Sequence, residues 1–387
     1  MGKYLQIKEI GKVITGKTPS TEDASNFDGK YPFITPSDIK SFDEKYLLET
    51  ERTLSEKGIK KLKNNILPKE AICFVCIGST IGKMCLTNTI AYSNQQINSL
   101  IVNNNFDAHY MFYFLRYIKS YFQQLGAGTG SGKGIVNKTT FENSKVKVET
   151  NKNIQVKIAD ILSTYDNLIE NNNKRIKLLE QMAENLYKEW FVRFRFPGYE
   201  NTKFVDGIPS DWQILRMSDF CYVTDGTHDS PKPINDGGVP LVTGKCIKNG
   251  FIDFNEPYNI SYQDHESISK RSGLQTGDIL FSNIGTVGTT CLVNYDREFS
   301  VKNIIIFKPG NIKVSNYLYS WLNSDSIQAI FATQTNGASQ QFVGLNFMRR
   351  FKILVPSENV LDLYSGRIKP IRSEIVKLHD INENLTY

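Results

Sequence analysis

Long apolar runs are missing from this chain. No stretch approaches the roughly 18 uncharged apolar residues that a membrane-spanning helix requires. Residues 1–12 are too polar for a secretory signal, so the expected location is the cytoplasm. Cysteine is sparse and scattered, with six in 387 residues, which excludes a disulfide framework. Cys73 and Cys76 form one C-x-x-C, but a zinc site needs about four ligands, and no second C-x-x-C or His pair is at hand. They read instead as small hydrophobes in the apolar run 71–77, which predicts a buried strand. The four histidines, His109, His228, His265 and His379, lie far apart and share no nucleophile pattern. No Pro-Pro dipeptide occurs, which removes the Asn/Asp-Pro-Pro-aromatic motif expected of an enzyme that methylates a flipped adenine. No catalytic residue and no metal site is expected.

What is present suits a folded protein of two domains. Apolar residues make up 40% of the chain and charged ones 22%, ordinary values for a globular protein. At 387 residues the chain is too long for a single ordinary core. The net charge of +6 favours a polyanionic partner without proving one.

The most informative feature is a duplication with an offset near 207 residues. Ile66-Leu67-Pro68-Lys69-Glu70-Ala71-Ile72-Cys73-Phe74 leads to Ile77-Gly78-Ser79-Thr80-Ile81-Gly82. Likewise Gly273-Leu274-Gln275-Thr276-Gly277-Asp278-Ile279-Leu280-Phe281 leads to Ile284-Gly285-Thr286-Val287-Gly288. Strand-like stretches follow at 92–97 and 299–304, then aromatic amphipathic helices beginning at Tyr110 and Tyr317. Next come polar loops, glycine-rich at 126–134 and amide-rich at 335–341. Both copies close on alternating strands at 144–148 and 351–355.

Each copy carries a helical tail. Across 153–190, apolar residues recur in threes and fours at Ile154, Ile158, Ile161, Tyr165, Leu168, Ile169, Ile176, Leu179, Ala183, Leu186 and Trp190. That spacing predicts a seam against a partner helix, and at ~1.5 Å per residue a rod of roughly 57 Å. The second tail repeats the period at Ile368, Ile371, Ile375, Leu378 and Leu385. Setting Ile158 against Ile368 brings Asn172 opposite Asn382. The two asparagines either fix the register, as a polar residue on an apolar seam does, or lie at its exposed edge. Pro370 predicts a fresh start or a kink. About a dozen positions matching the end of the first tail have no counterpart after Tyr387, so the second tail reads as short or truncated.

Head, long helix, head and helix, with homologous halves, resembles the specificity (S) subunit of Type I restriction–modification enzymes. Residues 186–198, Leu-Tyr-Lys-Glu-Trp-Phe-Val-Arg-Phe-Arg-Phe-Pro-Gly, are similar to the end of that family's central conserved region. Gly207-Ile208-Pro209-Ser210-Asp211-Trp212 is similar to the Ile-Pro-x-x-Trp that opens many of its target-recognition domains. The first head, starting at Tyr4-Leu5-Gln6, lacks that lead-in. The resemblance implies an α+β fold in which two homologous globular target-recognition domains are separated by long α-helices pairing as an antiparallel coiled coil. The domains would occupy 1–150 and 199–356, and the helical regions 151–198 and 357–387. It also implies a non-catalytic chain that reads a bipartite target on double-stranded DNA and docks two modification (methyltransferase) subunits and restriction subunits. The chain would bind no cofactor itself. S-adenosylmethionine, ATP and magnesium would belong to the partners. Half-sites one DNA turn apart are separated by roughly 34–36 Å, a span a long rod can bridge.

One decoy needs exclusion. Aligning Gly132-Lys133 on the phosphate-cradling G-x-x-x-x-G-K-[ST] places Ala127 at the first glycine and Gly134 at the magnesium-holding hydroxyl, so the loop fails as a P-loop. DNA contacts are expected from polar loops at equivalent places in the two heads. In the first head the candidates are Lys17, Thr18, Thr35, Ser37, Ser79, Thr80, Lys83, Thr129, Ser131 and Lys133. In the second they are Thr227, His228, Thr243, Lys245, Lys270, Arg271, Asn283, Thr286, Ser339 and Gln340. Each is equally readable as an ordinary solvated surface group. The loops differ between copies while Gly78 and Gly285, and Gly82 and Gly288, agree, which predicts an asymmetric target. Two other readings stay open on the sequence: a specificity module working with a Type II-like bifunctional enzyme, and a scaffold whose heads bind something other than DNA.

Overall fold

The structure is a computed structural model that describes residues 2–40, 45–47, 49–128, 134–335 and 342–386. It divides into two compact units, 1–171 and 172–387.

The first unit is built on a four-stranded antiparallel sheet ordered Gly11–Thr15, Ile97–Val102, Ile72–Val75, Met84–Leu86. Its central strand Ile72–Val75 is apolar and buried on both faces, as expected for a strand covered on both sides. A three-stranded sheet, Thr53–Leu54, Phe27–Ile34 and Tyr92–Ser93, and a ribbon of Lys3–Gln6 with Lys145–Val148 complete the β structure. The helix Ala108–Tyr117 lays Tyr110, Met111, Phe112 and Leu115 into the core, where Phe74, Phe122 and Phe141 meet with ring centroids 5.0–5.3 Å apart.

The second unit repeats this plan strand for strand. Its four-stranded sheet runs Tyr222–Asp225, Ile304–Lys308, Ile279–Ser282, Thr290–Leu292, and its three-stranded sheet Tyr258–Ile260, Val239–Val242, Ser300–Val301. The ribbon is Gln213–Arg216 with Lys352–Val355. Register agrees too, since Ile72 opposes Leu100 as Ile279 opposes Phe307, each pair 207 positions apart. Gly78 and Gly285 have φ of +69° and +74°, Gly82 and Gly288 +92° and +96°, so the turns that demand left-handed backbone are shared.

The tail helix Lys152–Tyr187 is uninterrupted and ends in a π-helical turn at Lys188–Val192. Within the second unit its last turns pack antiparallel on the helix Glu358–Thr386. Asn172 Nδ2 donates to Asn382 Oδ1 (2.9 Å), Arg175 pairs with Glu374 (2.7 Å), and Trp190 meets Tyr364. Asn172 is buried, and Ile176, Leu179, Leu186, Ile371 and Ile375 are half-buried near buried Leu378. The aromatic segment after the helix closes this core: Phe191 stacks edge-on against Tyr317 and Tyr364, and Trp212 packs on Phe194 and Phe196.

Glu358–Thr386 runs through Pro370 as one helix, so the second tail does not start afresh there: Val360, Leu361, Tyr364 and Ile368 anchor it before the proline and Arg372 and Leu378 after it. One expectation is corrected. In the first unit Ile158, Ile161 and Tyr165 do not form a buried seam. They are exposed, and the packing face is Gln155, Ala159, Ser163 and Asp166. Gln155 donates to the Glu149 carbonyl (2.6 Å) and accepts from the Asp107 amide (2.8 Å). Asp166 accepts from the Tyr113 hydroxyl (2.6 Å), beside Arg116, and Lys45 donates to Ser163 (2.8 Å). Burial, with Asp166 adding to it, pushes the Tyr113 hydroxyl well above its ordinary value. The matching place in the second unit, fourteen residues into its tail helix, is Arg372. It donates to the Asn316 carbonyl (3.0 Å) and Ser320 (2.7 Å) and lies over the Tyr319 ring. The same joint thus carries opposite charge in the two units.

Candidate nucleic-acid interface

At one end of the first unit's sheet, three loops converge. Gly16 N–H donates to the Ile97 carbonyl (3.1 Å) and Lys17 N–H to the Ser93 carbonyl (2.9 Å), tying the turn after the first sheet strand to the segment before Ile97. A Cβ on Gly16 would sit 2.2 Å from the Asn94 carbonyl oxygen, so the close approach requires glycine. Thr18 donates to Gln95 (2.7 Å), and Gly78 N–H to the Gly134 carbonyl (2.8 Å). Lys17, Ser79 and Gln95 are exposed. Thr80 is half-buried and donates to the Ile77 carbonyl.

The second unit repeats the junction with other side chains. Gly226 N–H donates to the Ile304 carbonyl (2.9 Å) and Thr227 N–H to the Val301 carbonyl (3.0 Å), and a Cβ on Gly226 would lie 2.2 Å from the Val301 oxygen. His228 stands exposed between Asn303 and Asp225, 2.9 Å from each. Arg271 pairs with Asp225 and donates to the Gly226 carbonyl (2.8 Å). Lys245, Lys270 and Thr286 are exposed, with Thr286 leaning on Ser282 (3.1 Å).

Several sequence candidates are spent inside the fold. Thr35 bonds Asp38 through both its amide (2.7 Å) and hydroxyl (2.6 Å), so buried Asp38 organises that turn, while Ser37 stays exposed with its hydroxyl 2.8 Å from that of Thr35. The corresponding Thr243 turn is organised by Cys246, whose thiol accepts from the Thr243 amide (3.4 Å). Lys83 donates to the carbonyls of Ile39 and Lys40, and Thr227 is buried and accepts from the Asp229 amide. Asn283 is also buried. Thr129, Ser131, Lys133, Ser339 and Gln340 lie outside the described residues.

Three exposed or half-exposed groups were missed: Gln95, Lys302 and Asn303. The stretches 92–97 and 299–304 read as continuous strands, yet each breaks into Tyr92–Ser93 then Ile97–Val102, and Ser300–Val301 then Ile304–Lys308. Consecutive polar residues mid-strand, Asn94-Gln95-Gln96 and Lys302-Asn303, were the available signal.

Among the described residues no group of three or more His, Cys, Asp or Glu is placed to hold a metal ion. Burial pushes the Cys76 thiol up to about 11 and those of Cys221 and Cys291 to about 12, so they stay protonated at neutral pH. Among the described residues no helix is long and apolar enough to cross a membrane.

Two copies of one α+β module, each followed by a long helix, define a class of internally duplicated proteins. Residues 3–181 and 209–362 both match the family described as the Type I restriction modification DNA specificity domain, and the chain belongs to that family. It is 24% identical over 96% of its length to the Type I restriction enzyme MjaIX specificity subunit of Methanocaldococcus jannaschii, covering 87% of that protein. It is 25% identical over 44% of its length to the HindI specificity subunit of Haemophilus influenzae, covering 37% of that protein. The fold is that of the Type I restriction–modification S subunit from M. genitalium (TM-score 0.57, 14% identity, 100% of this chain and 95% of that one).

Proposed function

We propose that this chain is the DNA-reading subunit of a Type I restriction–modification enzyme, and that its two units read the two unlike halves of a bipartite duplex target. The observation that carries this reading is the pairing of one scaffold with two loop chemistries. Lys17, Thr18 and Gln95 occupy the junction in one unit, and His228, Asn303 and Arg271 occupy it in the other. Amides and guanidinium groups hydrogen-bond base edges, and lysines meet phosphate or guanine, so different sets select different sequences.

The tail helices serve as the docking surface for two methyltransferase subunits, to which restriction subunits add. The exposed apolar stripe of Ile154, Ile158, Ile161, Tyr165 and Leu168 supports this, because a row of that length has a use only when covered. Chemistry then belongs to the partners, which bring S-adenosylmethionine, ATP and magnesium.

The test is selection from a random duplex pool by the full chain assembled with its methyltransferase subunit. Two different half-sites separated by unread base pairs are expected. A palindrome or a single continuous site would overturn the proposal.

A further inference from the structure

The glycine-rich segment of the first unit and the amide-rich segment of the second each rejoin the fold through a short arm beside a core strand. In the first unit the arm is Gly134-Ile135-Val136. Ile135 bridges Ile77, and Val136 N–H donates to the Cys76 carbonyl (2.9 Å). In the second it is Phe342-Val343. Phe342 bridges Ile284, and Val343 N–H donates to the Asn283 carbonyl (3.0 Å). Main-chain pairing satisfies the N–H of each buried valine, leaving its carbonyl to find a donor, and a buried carbonyl without one is costly. A side-chain amide supplies the donor both times. Asn98 Nδ2 donates to the Val136 carbonyl (3.0 Å), and Asn283 Nδ2 to the Val343 carbonyl (3.3 Å).

The two asparagines are not equivalent residues. Asn98 opposes Thr15 and Phe74 in the sheet, and the residue opposing Asp225 and Phe281 in the second unit is Ile305. The counterpart of Asn283 is Cys76, whose thiol donates to the Gln96 carbonyl (3.1 Å). The same carbonyl is held from different strands, so what the two units share is the clamp and not the residue.

We propose that Asn98 and Asn283 are positioning residues for half-site recognition. Each fixes its arm against the neighbouring turn, Gly78–Thr80 or the Gly285-Thr286 turn, and so holds that unit's reading loops in register. The inference rests on the two-half-site reading above. Asn98 is 1% exposed and Asn283 6%, so both act through the loops and not by touching a base. Each clamp is confined to its own unit, which confines its effect to one half-site. Asn98 Oδ1 is itself held by Thr15 (2.7 Å), whereas Asn283 Oδ1 has no partner among the described residues, making the second clamp the looser one.

The experiment repeats the random-pool selection with the full chain and its methyltransferase subunit, scoring the two half-sites separately. N98D keeps the shape of the side chain but removes the donor. It should lose preference at the first unit's half-site by about tenfold, the scale of one hydrogen bond, with the second half-site read as before. N283C should do the reverse by a smaller factor, and adding I305N, which rebuilds the clamp from the other strand, should restore it. Continued reading of the other half-site is the control for folding. Unchanged preferences, equal loss at both half-sites, or failure of I305N to rescue would overturn the clamp. A wild-type chain selecting a single continuous site would instead overturn the two-half-site reading beneath it.

Discussion

At the scale of residues, the candidate interface divides into side chains that build the loops and side chains that project from them. Asp38, Lys83 and Thr227 belong to the first group, since their polar atoms are engaged with main chain. Lys17 and Lys245 belong to the second, being exposed cations, one beside the Gly16 turn of the first head and the other in the Thr243 turn of the second. Replacing either by alanine should weaken DNA binding almost uniformly across sequences and lower the salt slope of log affinity by about 1. A salt titration on cognate and scrambled duplexes checks this, and loss confined to the cognate duplex would assign that lysine to base reading. Exposed polar groups of the second kind were legible as a class in the sequence but not individually. Whether Thr35 turns toward the fold depends on the Asp38 carboxylate three residues away, which composition alone does not place.

At the scale of elements, the duplication was legible because it is written in glycines at left-handed turns and in strand alternation, both local properties of backbone geometry. The face of the first tail was not. Hydrophobic period pointed to Ile158, Ile161 and Tyr165, whereas the helix docks on its head through Gln155, Ser163 and Asp166, by hydrogen bonds that leave no apolar signature. The Asn172–Asn382 pair shows the complementary behaviour, a polar link on an otherwise apolar seam. Asn172→Leu alone should cost about 1 kcal/mol by removing the donor to Asn382 Oδ1, while Asn382 Nδ2 keeps its bond to Asn173; Asn172→Leu with Asn382→Leu should be neutral or stabilising. Urea unfolding of the full chain checks both, and a double variant less stable than the single would show the pair to be a net source of stability.

At the scale of the whole molecule, the uninterrupted helix Lys152–Tyr187 runs from the first unit into the second, and on the proposed two-half-site reading it is the element to test as the spacer. Seven residues inserted after Leu168 lengthen it by ~10.5 Å while nearly preserving its rotational phase. The expected outcome is a changed spacer between unchanged half-sites, read by random-pool selection. An unchanged spacer would remove the helix from that role. The charge reversal between Asp166 and Arg372 reaches further, into how such a protein could be recombined. A first head cut at its last strand and spliced to the second tail would bring Arg372 against Lys45 and Arg116, three cations in one half-buried joint. The natural cut for exchanging heads therefore falls some four helical turns into the tail, past these two residues, so that each head travels with the stretch of helix matched to it.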